Sequence, residues 1–300
     1  MKSWRSIAIK INNTSVLNCV SVLCEFFKNS NIGEPLESAR YIVAHALNKK
    51  TINSCPSTEK LSRPQLEHVS KMVDLRLKQM PIQYIVGGWD FLGVELDLKP
   101  PVFIPRPETE MLIELISNRG ITENSKKFFE VGCGSGAISL ALLKKFKNLT
   151  CTAVDISHEA CSLTRLNSLK LGLESRINVI NRSFSDYIRN PSANEKFDFL
   201  VSNPPYIPTS QLSNLQDEIK NYEDVRALDG GEKGFDVIEQ ILSLAPNIIK
   251  NDSSVWLEVD ESHFDIINDY TTDKNNLKLI AFEKDFLQKY FTFLVVTGYI

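Results

Sequence analysis

The tetrapeptide Asn203-Pro204-Pro205-Tyr206 combines residue types that could hold a planar group carrying an NH2. Two consecutive prolines have fixed φ angles and no N–H groups, so they form a stiff loop whose carbonyls are left to accept hydrogen bonds. An amide side chain precedes the prolines and an aromatic ring follows them. An ordinary strand-to-helix loop with a capping Asn would use the same residues, because proline is common in loops.

A short apolar segment, residues 196–202, comes directly before this tetrapeptide and predicts a buried strand. Pro208 follows closely and forbids a simple continuation of that strand. The sequence therefore places the tetrapeptide at the carboxyl end of a strand, where open α/β sheets bind their ligands.

A glycine-rich loop follows another predicted strand, residues 128–131, and opens a predicted helix. Alternate glycines let the backbone turn tightly and approach a ligand closely, and the strand–loop–helix context gives such a loop meaning. The G-x-G-x-G spacing is neither the dinucleotide pattern nor the P-loop pattern, and no Lys follows, so we expect no triphosphate site. The candidate cofactor-binding residues of this loop are Gly132, Cys133, Gly134, Ser135 and Gly136.

Two further residues stand at predicted strand ends. Asp155 ends the strand after the glycine loop, where a carboxylate can accept hydrogen bonds from both ribose hydroxyls of a nucleoside. Its competing role is to cap the next helix, a task for which Ser157 is equally suited. Phe184 follows the third strand and either covers an adenine face or belongs to the core, and its position does not decide between the two.

Together the glycine loop, the ribose acid and the tetrapeptide indicate an S-adenosylmethionine-dependent methyltransferase that acts on a planar amide or amine nitrogen. A sulfonium methyl is an activated electrophile, so the protein has to align the reactants and needs no nucleophilic residue and no metal. We hypothesise that the Asn203 side-chain oxygen and the Pro204 carbonyl accept the two N–H bonds of the substrate. Pro205 would complete the substrate loop, Tyr206 would stack on the planar group, and Asn203 would also contact the cofactor.

Composition limits the other possibilities. The chain has 300 residues, a net charge of −3 and no long basic run, so we expect no nucleic-acid partner. Its six cysteines show no C-x-x-C spacing and only four histidines occur, which argues against a zinc site and for a reducing compartment. No apolar segment has the length of a membrane span. The first acidic residue is Glu25, and this acid-poor start is typical of an organellar transit segment within about residues 1–20.

The hydrophobic pattern predicts two domains. Helical periodicity between residues 15 and 79 indicates a small all-α domain over residues 1–88, and glycine-punctuated alternation from residue 83 to 98 indicates a linking β-hairpin. Residues 89–300 alternate strands and helices, which predicts the α/β class with a Rossmann-like methyltransferase sheet. We expect a helix over residues 232–249, a strand over 254–259, and a terminal antiparallel pair formed by 277–282 and 291–296.

A resemblance covers nearly the whole chain. It is carried by Gln83-Tyr84-Ile85, by Ile104-Pro105-Arg106-Pro107-Glu108-Thr109-Glu110, by the glycine loop and the tetrapeptide, and by Ala227-Leu228-Asp229-Gly230-Gly231. In these motifs the chain resembles the HemK/PrmC glutamine methyltransferases. Asn-Pro-Pro-Tyr alone is shared with adenine-N6 DNA methyltransferases, so the Ile104 to Glu110 hallmark is the most discriminating part.

The resemblance implies methyl transfer to the side-chain nitrogen (N5) of the Gln in the Gly-Gly-Gln motif of peptide-chain release factors. It implies that the glycine loop, Asp155 and Phe184 hold S-adenosyl-L-methionine, and that residues 203–206 hold the Gln. The helical domain would recognise the release factor. We expect a monomer with no membrane partner. Arg106 and Glu108 could line the site or lock the hairpin to the next helix.

Two details concern the branch of the family. Leu257-Glu258-Val259-Asp260 with His263 looks like the animal mitochondrial branch, so we expect a mitochondrial protein, or otherwise a cytoplasmic one. Relatives usually carry Gly-Arg-x-Arg where this chain has residues 286–291, which puts its efficiency toward the protein partner in doubt.

Two other functions fit parts of the sequence. An adenine-N6 DNA methyltransferase would use the same tetrapeptide on a flipped base, but it should show a basic groove or a target-recognition domain. A non-catalytic cofactor-binding module would dock on its partner without needing all four residues of the tetrapeptide.

Overall fold

The computed structural model describes residues 14–56, 58–190, 195–273, 277–284 and 291–298. Most of the predicted transit segment and most of the segment that replaces Gly-Arg-x-Arg lie outside these residues. Among the described residues, no helix combines the length and the apolar character needed to span a membrane.

The chain separates into two compact units. The first consists of the described part of Met1–Gly88 together with Gln216–Tyr222, and the second consists of Trp89–Leu215 with the described part of Glu223–Ile300. The first unit is therefore discontinuous in sequence.

Helices form the first unit. Val16, Leu23 and Phe27 recur at helical spacing and are fully buried, so each amphipathic helix exists by covering its apolar stripe with the others. Ser15 begins the first helix, since its hydroxyl accepts a hydrogen bond from the Asn18 N–H. The helices are α1 (Val16–Lys28), α2 (Pro35–Ala46), α3 (Arg63–Arg76), α4 (Ile82–Val86) and a short helix, Asp217–Lys220.

A buried guanidinium holds the two segments of this unit together. Arg76 is 2% exposed, and its Nη2 donates to the Gly33 carbonyl at 3.0 Å and to Glu218 Oε1 at 2.7 Å. Its Nε donates to the Ser38 hydroxyl at 3.0 Å. Because a buried charge is tolerated only when it is paired and hydrogen-bonded, Arg76 requires Glu218 from the second segment.

The second unit begins with the predicted hairpin, β1 (Gly88–Phe91) and β2 (Val94–Asp97). Leu92 and Gly93 have φ angles of 49° and 74°, the two positive values of a type I′ turn. A seven-stranded sheet follows, formed by β3 (Lys127–Val131), β4 (Thr150–Asp155), β5 (Ile177–Asn181), β6 (Phe197–Ser202), β7 (Ile249–Asp260), β8 (Leu277–Lys284) and β9 (Phe291–Gly298).

The strand order is β5-β4-β3-β6-β7-β9-β8. Strands β3 to β7 pair in parallel, whereas β9 is antiparallel to both of its neighbours. The order reverses between β3 and β6, which is where α/β sheets bind ligands. The helices of this unit are α5 (Glu108–Leu115), α6 (Ala137–Lys145), α7 (His158–Lys170), α8 (Phe184–Ile188), α9 (Asp236–Leu244) and α10 (Phe264–Asp273).

Both faces of the sheet are buried. Phe128 packs in one apolar cluster and its neighbour Phe129 in another, because successive residues of a strand point to opposite faces. Such two-sided burial explains why these strands read as continuous apolar runs.

The predicted class, the helical unit, the hairpin and the terminal antiparallel pair are confirmed. Three details were wrong. The predicted helix 232–249 spans only Asp236–Leu244, because Gly234 takes a φ of +71° before it and Pro246 follows it. Strand β7 consequently begins at Ile249 rather than at 254, and α4 occupies part of the segment assigned to the hairpin.

Candidate active site

The glycine loop and the tetrapeptide begin side by side. Val131, the last residue of β3, lies in register with Ser202, the last residue of β6. The Ser202 hydroxyl donates to the Val131 carbonyl at 2.7 Å and ties the two strand ends together. The loop that follows β3 and the loop that follows β6 therefore start from the same edge of the sheet.

The glycine loop leaves room for a ligand against its backbone. Gly132 and Gly134 have φ angles of 77° and 54°, and a Cβ added at either would meet no heavy atom within 4 Å. Gly136 also has a positive φ, and its N–H donates to the Cys133 carbonyl at 2.7 Å to close the turn. The exposed backbone with open space beside it fits a cofactor that must approach closely.

The side chains of the other two loop residues point into the protein. Cys133 and Ser135 are each 3% exposed. The Thr164 hydroxyl donates to the Gly134 carbonyl at 3.0 Å, and the Asn167 amide donates to the Ser135 carbonyl at 2.9 Å. Helix α7 thus fixes the loop, and the loop presents its backbone rather than these two side chains.

Asp155 lies at the carboxyl end of β4 and faces the glycine loop. Its Oδ2 accepts a hydrogen bond from the Gly134 N–H at 3.0 Å, and its Oδ1 accepts one from the Ser157 N–H at 2.8 Å. Burial raises the pKa of this carboxyl, and the two backbone donors offset part of that effect. Ser157 caps α7 through the Ala160 N–H, so the capping task falls to Ser157 and not to Asp155.

Phe184 begins α8 and is 3% exposed. Its ring centroid lies 5.5 Å from that of Phe129, within the core. These contacts match the core role that the sequence left open, and the role toward an adenine ring stays a prediction.

Asn203 is held by the hallmark segment. Its Nδ2 donates to the Thr109 hydroxyl of α5 at 3.1 Å, and Thr109 is 3% exposed. Because the amide nitrogen is engaged inward, the amide oxygen is the atom left to accept a hydrogen bond. No described residue donates to that oxygen.

A buried carboxyl lies behind this pair. Glu258 of β7 is fully buried, and neither of its oxygens has a hydrogen-bond partner among the described residues. Burial raises the pKa of Glu258 to about 7, and the neighbouring side chains of Thr109 and Asn203 oppose the shift. Burial also raises the pKa of Tyr206 far above its usual range, and the Glu258 charge adds to that effect.

Arg106, the arginine of the hallmark segment, forms an ion pair with the buried carboxylate of Glu223. Arg106 Nη2 donates to Glu223 Oε1 at 2.5 Å, and its guanidinium lies 4.7 Å from the Phe103 ring centroid. The other Glu223 oxygen accepts the Ile104 N–H at 3.2 Å. Glu223 lies in neither the hairpin nor α5, so both roles that the sequence left open for Arg106 stay predictions.

A second glycine-rich loop, residues 230–234, packs against the end of the tetrapeptide. The Ile207 N–H donates to the Leu228 carbonyl at 3.0 Å, and the Gly230 N–H donates to the Ile207 carbonyl at 2.9 Å. At Gly234, φ is +71°, and an added Cβ would overlap the Tyr206 carbonyl oxygen. The backbone of Tyr206 is therefore packed directly against this loop.

The sequence argument missed three residues that the structure brings to the site: Thr109, Glu223 and Glu258. The signal for Glu258 was present, since an acid within an otherwise apolar strand needs a reason to be there. Thr109 lies in the Ile104 to Glu110 hallmark, but neither it nor Glu223 could be assigned a role from sequence, because their partners are 94 and 117 residues away in the chain.

The sheet order, the open glycine loop and the tetrapeptide at the switch point define an S-adenosylmethionine-dependent methyltransferase. Two family models match the chain: "PrmC N-terminal domain" over residues 21–87 and "Methyltransferase small domain" over residues 107–222.

Individual relatives narrow the class. The chain is 40% identical to the human MTRF1L release factor glutamine methyltransferase, with 95% of this chain and 88% of that protein aligned. It is 32% identical to a release factor glutamine methyltransferase of Clostridium acetobutylicum, with 90% and 94% aligned. The chain belongs to the family of release factor glutamine methyltransferases, which confirms the resemblance found in its motifs.

Proposed function

We propose that this protein transfers the methyl group of S-adenosyl-L-methionine to the side-chain amide nitrogen, N5, of the Gln in the Gly-Gly-Gln motif of a peptide-chain release factor. The observation that carries the proposal is the hydrogen bond from Asn203 Nδ2 to Thr109, because it leaves the Asn203 oxygen as an acceptor at the switch point of the sheet. The relatives' names supply the substrate class.

A primary amide has two N–H bonds and a nitrogen lone pair delocalised into its carbonyl. If Asn203 Oδ1 and the Pro204 carbonyl accept the two N–H bonds, the nitrogen is fixed and electron density is directed toward the incoming methyl group. Neither proline of the tetrapeptide has an N–H, so at Pro204 and Pro205 the backbone offers only acceptors. A bound cofactor would supply an activated methyl group: an N–CH3 bond would replace one N–H bond, the sulfonium would leave as a neutral thioether, and the proton would pass toward the acceptor oxygen that holds it and then to water. The chain's contribution would be alignment.

Tyr206 would stack on the planar amide. Burial raises the pKa of Tyr206, so the phenol would be neutral at physiological pH, which suits a stacking role. The backbone amide of Gly134 and the carboxylate of Asp155 would face the nucleoside part of the cofactor.

We place the protein in the mitochondrion. The acid-poor segment ahead of Glu25 and the Leu257-Glu258-Val259-Asp260 sequence with His263 support this placement. Imaging of the full-length chain with a C-terminal tag tests it, and a diffuse cytoplasmic signal would contradict it.

A mass spectrum tests the reaction. A purified organellar release factor is incubated with the protein and S-adenosylmethionine, and its Gly-Gly-Gln peptide is examined. We expect one added methyl group on the Gln. An unmodified peptide with confirmed cofactor binding would contradict the proposal, and transfer of labelled methyl to DNA would favour the adenine-N6 reaction instead.

Asn203→Ala tests the residue assignment. Loss of one acceptor should lower kcat roughly 10- to 100-fold, while the affinity for S-adenosylhomocysteine changes little. Parallel losses in both quantities would mean that Asn203 serves the cofactor rather than the substrate.

We further propose that the helical unit recognises the release factor. Leu17 of α1 and Leu36 of α2 are 55% and 40% exposed, so both are accessible to a protein partner. Leu17→Ser and Leu36→Ser should raise KM for the intact release factor and leave KM for a short Gly-Gly-Gln peptide unchanged. Leu169→Ser, at a 63% exposed leucine of α7, is the matched control. Equal effects on protein and peptide substrates would contradict this role.

A further inference from the structure

The buried carboxyl of Glu258 has no function in the reaction described so far. It is 0% exposed, it has no hydrogen bond from a described residue, and it lies in the strand beside the one that ends at the tetrapeptide. A group of this kind is costly to bury without partners. Strand β7 would be more stable with an apolar residue at this position, so a role in the neighbouring site is the natural explanation.

The register of the sheet places Glu258 beside Asn203. Ser202 pairs with Leu257 across β6 and β7, so the next residues, Asn203 and Glu258, follow side by side. Thr109 approaches the same point from α5. Thr109 and Asn203 are the polar side chains that hold the pKa of Glu258 down, so both lie near the carboxyl, although neither is within hydrogen-bond geometry of it in this structure.

These three side chains have a preferred direction of hydrogen bonding. An ionised carboxylate only accepts, a hydroxyl donates one bond while accepting another, and an amide has one donating and one accepting end. With Glu258 ionised, the Thr109 proton is attracted to the carboxylate, and the Thr109 oxygen then accepts from Asn203 Nδ2, as the 3.1 Å bond shows. A protonated or neutral group in place of Glu258 can donate to Thr109 and remove this preference.

We infer that Glu258 is a positioning residue: through the Thr109 hydroxyl it fixes which end of the Asn203 amide faces the substrate. Without it, the amide can rotate by 180° and present its NH2 group to the substrate N–H bonds, which are donors as well. The inference rests on the proposed role of Asn203 and adds to it the residue that sets its orientation.

Because this role requires Glu258 to be ionised, the orientation of the Asn203 amide should depend on pH. The groups that face Glu258 are Arg106 and Glu108 from the hallmark segment and Tyr206 from the tetrapeptide, and Asp260 on the same strand acts on Tyr206. Arg106 favours the charged carboxylate and Glu108 disfavours it. The pKa of about 7 means that ionisation falls within the range where the enzyme can be assayed.

Glu258→Gln is the direct test, because it keeps the shape and removes the charge. We expect kcat on the Gly-Gly-Gln peptide to fall roughly 10- to 100-fold, with an unchanged dissociation constant for S-adenosylhomocysteine. The wild-type kcat should rise with pH near neutrality as Glu258 ionises, and the kcat of Glu258→Gln should lack this rise. Glu261→Gln, at an exposed acid just beyond β7, is the matched control and should behave as the wild type.

Thr109 supplies a second test that does not depend on how Glu258→Gln folds. Thr109→Ser keeps the hydroxyl and should retain most of the activity, whereas Thr109→Val should match the loss in Glu258→Gln. Combining Thr109→Val with Glu258→Gln should cost no more than either alone, because both remove the same influence of the carboxylate on the Thr109 hydroxyl and hence on Asn203.

Several results would overturn the inference. For Glu258→Gln, these results are an unchanged kcat, equal losses of kcat and of affinity for S-adenosylhomocysteine, or a kcat that still rises with pH near neutrality. For the Thr109 variants, they are additive losses in the double variant or equal activity of Thr109→Ser and Thr109→Val. The wild type is assayed in parallel by mass spectrometry. If it fails to methylate the peptide, the proposed function fails; if it succeeds and the variants succeed equally, only the inference about Glu258 fails.

Discussion

The second unit contains two glycine-rich loops that use glycine for opposite reasons. At Gly132 and Gly134 an added Cβ would enter open space, whereas at Gly230 it would lie 2.7 Å from the Gly234 carbonyl oxygen. In the first loop the missing side chains leave room for a ligand. In the second loop the protein's own backbone already fills that room. The same residue type is thus required by binding in one place and by packing in the other.

Substitutions in the two loops should therefore affect different properties of the protein, cofactor binding in one case and stability in the other. A substitution in the first loop should weaken cofactor binding with little loss of stability, and a substitution in the second should unfold or distort the tetrapeptide. Gly172 gives a common reference, since it has a φ of +67° and open space around its Cβ position, away from both loops. Its substitution measures the cost of backbone strain alone.

The largest effect is expected for Gly234→Ala. Its Cβ would overlap the Tyr206 carbonyl and its φ is positive, so overpacking and backbone strain add to about 2–5 kcal/mol of lost stability. Urea unfolding measures the loss against Gly172→Ala, which should lose only about 1–2 kcal/mol. Equal losses of stability in Gly234→Ala and Gly172→Ala would show that overpacking at Gly234 adds nothing to the backbone strain.

Gly134→Ala should have a smaller effect on stability and a selective effect on binding. We expect about 1–2 kcal/mol of strain and a roughly 10-fold or greater loss of affinity for S-adenosylhomocysteine, measured by calorimetry. Gly172→Ala should show the strain without the loss of affinity. If Gly134→Ala binds the cofactor as well as the wild type does, the open space beside the loop is not where the cofactor approaches.

The last prediction concerns Glu130, the buried acid that comes two residues before Gly132. Burial raises the pKa of Glu130 to about 8, and Ser139 offsets part of the shift. Between its ordinary pKa and about 8 the folded protein keeps a proton that the unfolded chain releases, so the free energy of unfolding should fall as pH rises through this range.

Glu130→Gln should flatten this dependence, because the amide does not titrate. In urea unfolding at several pH values, the free energy of unfolding of the variant should increase relative to that of the wild type as the pH rises toward 8. Glu258, with a pKa of about 7, contributes a similar slope that both proteins retain. A constant difference between variant and wild type across this range would show that Glu130 does not titrate as described.

The sequence predicted those features that depend on local pattern. Asn203 and Asp155 could be placed at strand ends because apolar runs and the residues that break them are adjacent in the chain. The orientation of Asn203 could not be predicted, since it depends on Thr109, 94 residues earlier, and on a hydrogen bond whose donor and acceptor only the fold brings together.

Other differences have similar causes. Phe184 lies at a position where core and ligand roles look alike in sequence, and only the packing against Phe129 distinguishes them. The segment Gln216–Tyr222 reads as part of the methyltransferase domain, yet it belongs to the helical unit, where the half-buried Glu218 pairs with the buried Arg76. No local pattern carries that requirement.

The pairing of Arg76 with Glu218 has a consequence for synthesis. The two residues are 142 positions apart, so at about 5–20 residues per second Glu218 emerges from the ribosome on the order of 10 s after Arg76. During that interval the helices that precede Gly88 are present, but Arg76 lacks the carboxylate of Glu218. We therefore expect a fragment ending at Gly88 to be less stable than the same helices in the full chain, because its buried guanidinium has no ion-pair partner.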